Sequence, residues 1–277
     1  MRPIAEAYKD FPILHKEHNG HRVIYLDSGA TAQIPQSVID RVVEHMTQRN
    51  GNPHRGSHIL AIEASEDYEN ARDRVVEFIN AREREEVVFT RNSTESMNLI
   101  AHSYGLHNVK KGDKIVITVA EHHANLVTWQ YVAEQTGATL EYMYLDEHGH
   151  LKDGEIDKID DNTKIVAFAH VSNVLGMEFP VKELTEKAHS VGAVVVLDGA
   201  QSTPHKKIDV QELDCDFFVF SGHKMCASQG IGVLYGKREL LEAMPPFLLG
   251  GDMIEYVKEQ TATFNELCLL YTSDAAD

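Results

Sequence analysis

Two stretches of the chain decide its fold, and each joins an apolar run to a polar end. Residues 192–202 have the sequence GAVVVLDGAQS, and residues 214–224 have the sequence DCDFFVFSGHK. Runs as apolar as VVVL and FFVF are typical of strands that are buried on both faces of a parallel sheet. Open parallel sheets bind ligands beyond the carboxyl ends of such strands, so the small and polar residues that follow are candidate ligand-binding loops.

The same alternation of short β-branched runs with helical stretches continues along the chain. It predicts an α/β fold with a mostly parallel sheet flanked by helices. The predicted strands are residues 23–26, 86–90, 114–119, 140–144, 164–168, 193–197, 217–220 and 232–235. The predicted helices are residues 35–48, 63–79, 93–104, 125–135, 181–191 and 239–243.

Composition excludes several classes of protein. The 277 residues carry 43 acidic and 26 basic side chains, and the resulting formal charge of −17 disfavours a nucleic-acid partner. The three cysteines are far apart in sequence, so we expect neither a disulfide framework nor a metal site. With no signal-peptide pattern and no long apolar run, the sequence predicts a soluble, cytoplasmic protein that does not enter a membrane.

Five polar clusters follow predicted strands. They are RNSTES (91–96), AEHHAN (120–125), HVSNVLG (170–176), DGAQS (198–202) and SGHK (221–224). Because parallel strands end at the same edge of a sheet, these clusters predict one convergent site.

Lys224 is the central candidate in that site. An arbitrary lysine in a loop is usually a solvated surface residue. A lysine held by a strand end in a partly desolvated pocket has a lowered pKa, however, and can add to an aldehyde. The flanking Ser221 and His223, together with Asp198, favour this second interpretation.

Asp198 ends an apolar strand, where a carboxylate is costly unless it meets a cation. One interpretation is a helix N-cap. The other is a partner for the protonated ring nitrogen of pyridoxal-5′-phosphate (PLP), whose ring then acts as an electron sink. The spacing to Gln201, whose amide could reach the phenolic oxygen of the ring, favours PLP.

Three further positions have two interpretations each. Ser93 and Thr94 begin a predicted helix, where they could bind phosphate or form a capping box, and both can hold at once. His122 could stack on a cofactor ring, although a metal site shared with His123 or a structural role is the alternative. Asn173 could bond the ring oxygen or serve as a turn residue.

Eight segments together resemble the SUF-type cysteine desulfurases and selenocysteine lyases, which are PLP enzymes of the class V aminotransferase family. They are LDSGATAQIP (26–35), HRGSH (54–58), RNSTESMNL (91–99), EHHANLVTWQ (121–130), HVSNVLG (170–176), LDGAQS (197–202), DCDFFVFSGHKM (214–225) and GIGVLYGK (230–237). The resemblance extends from about residue 8 to about residue 267. It implies an aspartate-aminotransferase-like large domain over residues 21–267, after an N-terminal segment (1–20) and before a tail (268–277) that does not match.

The resemblance also implies roles for individual residues. Lys224 would hold PLP as a Schiff base and act as general base, Asp198 would pair with the pyridine nitrogen, and His122 would stack on the ring and take part in catalysis. Asn173 and Gln201 would contact the ring oxygen. The phosphate would be held by Ser93, Thr94, Ser221 and His223. His54 and Arg55 would lie near the substrate entrance.

The implied activity is the conversion of L-cysteine to alanine, with transfer of sulfur to an acceptor protein for iron–sulfur cluster assembly. A homodimer with active sites near its interface is implied as well. The alternatives are a PLP-binding fragment without turnover, and a selenocysteine lyase or another class V lyase.

The sequence departs from the family in two places. Residues 226–229 read CASQ, where the family usually has Gly-Pro-Thr before its glycine. The resemblance also implies a C-terminal small domain, with its persulfide-forming cysteine and a carboxylate-binding arginine, and we expect residues 1–277 to lack it. None of Cys215, Cys226 and Cys268 corresponds to that cysteine, although Cys226 is a possible substitute because it lies two residues from Lys224.

Overall fold

A computed structural model describes residues 4–251 and 253–265, and a seven-stranded sheet forms its centre. The strands are β1 (Glu17–His18), β2 (His21–Arg22), β3 (Val87–Thr90), β4 (Lys114–Thr118), β5 (Thr139–Met143), β6 (Thr163–Ala169), β7 (Val194–Asp198), β8 (Phe217–Ser221), β9 (Gly232–Gly236), β10 (Ile254–Val257) and β11 (Ala262–Phe264). The central sheet has the order β3-β9-β8-β7-β6-β4-β5, while β1 pairs with β2 and β10 with β11 in two-stranded sheets.

The α-helices are α1 (Gln36–Glu44), α2 (Ile59–Ile79), α3 (Ser93–Leu99), α4 (Leu106–Asn108), α5 (His123–Thr136), α6 (Val181–Ser190), α7 (Val210–Leu213) and α8 (Arg238–Ala243). Wider π-helical turns follow α1 at His45–Arg49 and α3 at Ile100–Gly105. Short 3-10 turns lie at Ile4–Asp10, Pro12–His15, Arg84–Glu86, Glu155–Lys158 and Gly222–Lys224. In the described part of the chain, no helix is both long and apolar enough to cross a membrane.

The predicted α/β architecture is confirmed. Strands β4 to β8 pair in parallel, and only β9 runs against its neighbours β8 and β3. Helices cover both faces of the sheet, as parallel strands require. The carboxyl ends of β4, β6, β7 and β8 therefore meet at one edge.

Two apolar cores lie on opposite faces of the sheet. One packs the strands against α2 and α6, through side chains such as Ile79 and Leu184. The other packs them against α3 and α5, through Met97 and the fully buried Trp129. Successive residues of β8 alternate between the two cores, which explains why its sequence is apolar without interruption.

One predicted strand, residues 23–26, is wrong. This segment joins no sheet, and Ile24 and Leu26 are 76% and 91% exposed. The Tyr25 hydroxyl instead donates to the carbonyl of Thr31 at 2.7 Å. Strand propensity describes a side chain that fits a half-buried pleated surface, and no sheet edge offers this segment such a surface.

Helix boundaries also differ from those predicted. Helix α2 begins four residues earlier than expected, at Ile59, because His58 caps it by accepting a hydrogen bond from the N–H of Ala61 at 3.3 Å. The predicted tail, residues 268–277, lies outside the described residues, and so does Cys268.

Candidate active site

A cavity of about 860 Å³ opens at the carboxyl edge of the sheet. All five polar clusters contribute to its wall, together with residues from the loop before β9 and from the segment before α1. Nine of the sequence-predicted site residues line it: Ser93, Thr94, His122, Asn173, Asp198, Gln201, Ser221, His223 and Lys224. The topology thus brings together side chains that are up to 131 residues apart in sequence.

Lys224 is placed by a tight turn after β8. The N–H of Gly222 donates to the carbonyl of Ile231 at 2.9 Å, and a Cβ atom at Gly222 would lie 2.6 Å from the Ile231 side chain. This close approach requires glycine and directs the turn towards the cavity. Burial lowers the pKa of the Lys224 amine below its usual value, while the nearby charge of Asp198 opposes that shift.

Asp198 ends β7 and is only 6% exposed. Its Oδ1 accepts a hydrogen bond from the N–H of Ala200 at 2.9 Å, whereas Oδ2 has no hydrogen-bond or ion-pair partner among the described residues. Burial raises the pKa of this carboxyl, and the Ala200 N–H, Lys224 and His122 partly offset the effect. A buried carboxylate with one unpaired oxygen can receive a cationic ligand group.

A cluster of hydroxyl groups joins α3 to β8. The hydroxyl oxygen of Ser221 accepts from the N–H of Ser93 at 2.8 Å and lies 2.5 Å from the Ser93 hydroxyl. A Cβ atom at Gly232 would lie 2.5 Å from the backbone of Asn92, so this glycine permits the approach. Together with Thr94 and His223, these groups can surround an anion with donors.

The helix cap at α3 differs from the capping box considered from the sequence. The side chain of Asn92, rather than Ser93 or Thr94, caps the helix by accepting from the N–H of Glu95 at 2.9 Å. The hydroxyls of Ser93 and Thr94 are therefore not engaged as caps, and both residues line the cavity.

His122 is the N-cap of α5. Its Nδ1 accepts a hydrogen bond from the N–H of Ala124 at 3.1 Å, which leaves Nε2 to carry the proton of the neutral ring. Burial lowers the pKa of His122, with further lowering from Lys224 and His123 and an opposing effect of Asp198. The structure therefore favours a neutral imidazole of defined tautomer at the cavity wall.

Gln201 and Asn173 line the cavity from two loops. The side-chain amide of Gln201 donates to the carbonyl of Gly29 at 2.8 Å and so ties the segment before α1 to the end of β7. Asn173 is exposed on the loop after β6, where the Ser172 hydroxyl accepts from the N–H groups of the next two residues after Asn173. Their predicted contacts with a ring oxygen stay predictions.

His54 and Arg55 do not line the cavity. Nε2 of His54 lies 3.3 Å from a carboxylate oxygen of Glu69, and the backbone N–H of His54 donates to the Ser65 hydroxyl at 2.7 Å. These contacts hold the HRGSH segment against α2. A role for His54 and Arg55 at a substrate entrance stays a prediction.

Several cavity residues were not predicted from the sequence. Asp27, Gly29 and Ala30 line it because the N–H of Ala32 donates to the carbonyl of His223 at 2.8 Å, which holds their segment across the site. Arg91 lines it as well. Their motifs, LDSGAT and RNSTES, were recognised, but nothing in either pattern shows which of their members face a ligand.

The described cysteines are poor nucleophiles. Cys215 is fully buried and Cys226 is half-buried, and in both cases burial raises the pKa of the thiol. A reactive thiol needs a lowered pKa and access to its target. Neither residue meets both requirements.

Comparisons with known proteins agree on one family. The model of the family "Aminotransferase class-V" matches residues 24–273. A protein of Halalkalibacterium halodurans named "Probable cysteine desulfurase" is 52% identical over 263 residues, which are 95% of this chain and 65% of that protein. The chain thus spans slightly less than two thirds of that relative's length.

Two solved structures have the same fold. The apo structure of a cysteine desulfurase from Thermococcus onnurineus superimposes with a TM-score of 0.92 at 39% identity, covering 99% of this chain and 66% of that one. A cysteine desulfurase from Escherichia coli gives a TM-score of 0.86 at 38% identity, covering 98% and 70%. The predicted fold class is confirmed by this agreement.

Proposed function

The chain belongs to the class V aminotransferase family, and from that premise we propose that it is the PLP-binding part of a cysteine desulfurase. Enzymes of this family depend on PLP. The proposed reaction releases sulfur from L-cysteine, forms alanine and passes the sulfur to an acceptor protein. We further propose that residues 21–267 form the PLP-binding large domain.

The observation that carries the proposal is that one cavity is lined by both a basic amine and a buried carboxyl group. Lys224 offers an amine with a lowered pKa, and Asp198 offers a buried carboxylate oxygen that has no partner among the described residues. PLP carries an aldehyde and a pyridine nitrogen on the same ring, so its functional groups fit both. When bound, PLP supplies an electron sink for a carbanion at the substrate Cα.

The other end of PLP is a phosphate, and the hydroxyl cluster suits it. Ser93, Thr94 and Ser221 offer hydroxyl donors, and His223 offers an imidazole whose Nδ1 lies 3.1 Å from the Thr31 hydroxyl. These groups lie at the same edge of the sheet as Lys224. We propose that they would hold the phosphate group, as hydroxyl and N–H donors commonly do in proteins.

The protein groups have distinct tasks in this scheme. The Lys224 amine would take the proton from the substrate Cα, and burial favours its unprotonated form for this purpose. The neutral ring of His122 would cover the cofactor ring and present its Nε2 proton. Asp198 would keep the ring nitrogen protonated, because a buried carboxylate is stabilised by a cationic partner.

A second function remains a candidate, namely PLP binding without sulfur transfer. The raised thiol pKa values of Cys215 and Cys226 favour it, since neither thiol is prepared to attack sulfur. Selenocysteine is an alternative substrate in the proposed reaction. A homodimer is proposed as well, supported by exposed apolar side chains near the cavity, such as Val174 and Leu26.

The proposal is tested by incubating the PLP-loaded protein with L-cysteine, or with L-selenocysteine, in the presence of a reductant. Alanine formation and sulfide or selenide release are measured together. Turnover of either substrate supports the proposed reaction and identifies its preference. Release of neither product from protein that binds PLP would leave the binding function in its place.

A further inference from the structure

Glu121 is a buried acid that the scheme above does not use. It lies in the turn between β4 and α5, directly before His122, and is 9% exposed. Its Oε1 lies 2.5 Å from the Thr118 hydroxyl, and its Oε2 accepts from the side-chain amide of Asn125 at 2.7 Å. No lysine, arginine or histidine forms an ion pair with it among residues 4–251 and 253–265.

The contacts of Glu121 extend into the core. The indole N–H of Trp129 donates to the Asn125 carbonyl oxygen at 2.8 Å, and Trp129 is fully buried. On the other side, the Thr118 hydroxyl accepts from the N–H of Ala120 at 3.1 Å. Glu121 therefore connects Thr118, the last residue of β4, to Asn125 in the first turn of α5. His122, which caps α5, lies between these two residues in the sequence.

The two buried carboxyl groups in this region, those of Asp198 and Glu121, have different electrostatic surroundings. Asp198 has the basic groups Lys224 and His122 in its electrostatic environment, whereas the side chains bonded to Glu121, those of Thr118 and Asn125, carry no charge. Burial raises the pKa of Glu121 to about 8. Repulsion from Asp198 adds to this rise, whereas hydrogen bonds with Thr118, Asn125 and the backbone of Ala169 partly oppose it. Two buried carboxyls that repel each other favour the state in which one of them keeps its proton.

We propose that Glu121 is a positioning residue that acts as a neutral carboxylic acid. In that form it fixes the turn that carries His122 and leaves the negative charge of the pair on Asp198. Its proposed effect on cofactor binding rests on the proposed function, while its protonation does not. Asp198, which extends from β7, is the ionisable group that acts on Glu121, and Asp198 is in turn influenced by His122 and Lys224.

The first test detects the proton on Glu121 directly, in protein without PLP. Infrared difference spectra of the wild type and E121Q should show the C=O stretch of a protonated carboxylic acid at pH 6.5, which is lost in E121Q. In the wild type this band should disappear with a midpoint near pH 8. The variant D198N identifies any contribution of Asp198. Spectra that are the same in E121Q and the wild type would overturn the proposal.

The second test measures PLP affinity between pH 6.5 and 9.5 for the wild type, E121Q and E121A. Because glutamine resembles a neutral carboxylic acid, E121Q should keep affinity within about threefold at pH 7. E121A loses the hydrogen bonds with Thr118 and Asn125 and should bind PLP at least about tenfold more weakly. The wild type should lose affinity above about pH 8, and E121Q should lose less over the same interval.

Two results of the second test would contradict the proposal. One is an equal loss of affinity in E121Q and E121A, and the other is an alkaline loss in E121Q as large as that of the wild type. Circular dichroism of each variant checks that it is folded, and E121Q keeps the test valid where E121A does not fold. If the wild type itself binds no PLP, the proposed function fails, yet the infrared band still decides whether Glu121 is protonated.

Discussion

The hydroxyl oxygen of Ser221 lies 2.8 Å from the backbone nitrogen of Ser93, a residue 128 positions earlier in the chain. This hydrogen bond connects the end of β8, directly before the turn that carries Lys224, to the start of α3. It therefore fixes the segment that carries the Lys224 amine against the segment that carries the Ser93 hydroxyl. The Ser93–Ser221 hydrogen bond is therefore part of the cavity wall, which both residues line.

Replacing Ser221 with alanine should weaken both the fold and the cavity. S221A leaves the N–H of Ser93 without its acceptor and should lower the free energy of unfolding by about 1–3 kcal/mol. PLP affinity should fall as well, because one proposed phosphate donor is lost. Urea denaturation with and without PLP measures both effects. The control S190A removes an exposed hydroxyl and should change stability by less than about 0.5 kcal/mol; equal effects of the two variants would contradict the assignment.

Asp198 should strengthen PLP binding and lower the stability of the PLP-free protein. In D198N the buried charge is removed, while the amide oxygen can still accept from the N–H of Ala200. The PLP-free variant should therefore be at least as stable as the wild type, but its PLP affinity at pH 7 should fall at least about tenfold. Fluorescence titration and thermal melts measure the two quantities. D161N, at an exposed position, is the control, and unchanged PLP affinity in D198N would refute the proposed pairing.

Glu121 should make stability depend on pH in a defined direction. Its pKa is about 8 in the folded protein and about 4.3 in an unfolded chain, so the folded state binds the proton more tightly. The stabilisation from this proton is fully present below about pH 4.3 and is lost as the pH rises towards 8. Relative to E121Q, the wild type should therefore lose stability over this interval, on the order of a few kcal/mol. Chemical denaturation at several pH values measures the difference, and parallel curves would contradict the raised pKa.

Cys226 should react slowly, despite its position two residues from Lys224. Burial raises the pKa of its thiol, so little thiolate is present at pH 7. Alkylation by iodoacetamide should be slow in the folded protein and become fast in denaturant. C226S should bind PLP as the wild type does. Rapid alkylation of Cys226 in the folded protein would contradict the raised pKa, and loss of sulfur transfer in C226S would identify Cys226 as the acceptor thiol.

Much of this architecture could be predicted from local sequence patterns. The apolar runs that precede Asp198 and Lys224 identified central strands, because only strands covered on both faces can be apolar without interruption. The polar clusters after them followed from the rule that parallel strands end at one edge. Residues 23–26 were misassigned because β-branched composition does not reveal whether a partner strand exists.

Long-range contacts account for what the sequence could not show. The segment around Asp27 lines the cavity because it is tied to His223 and Gln201, and neither tie follows from periodicity. Glu121 is an acid soon after an apolar strand, which is the same signal that singled out Asp198. Its burial and its bonds to Thr118 and Asn125 became apparent only in the structure.

The account depends most on Lys224 as the residue that holds PLP. The measurement is the visible absorption spectrum of the protein with PLP, followed by borohydride reduction and peptide mass analysis, for the wild type, K224A and the exposed-lysine control K182A. We expect the wild type and K182A to show a bound-cofactor band that differs from free PLP, and reduction to attach a phosphopyridoxyl group to Lys224. K224A should show neither. A bound-cofactor band that persists in K224A, or a folded wild type that has none, would contradict the account.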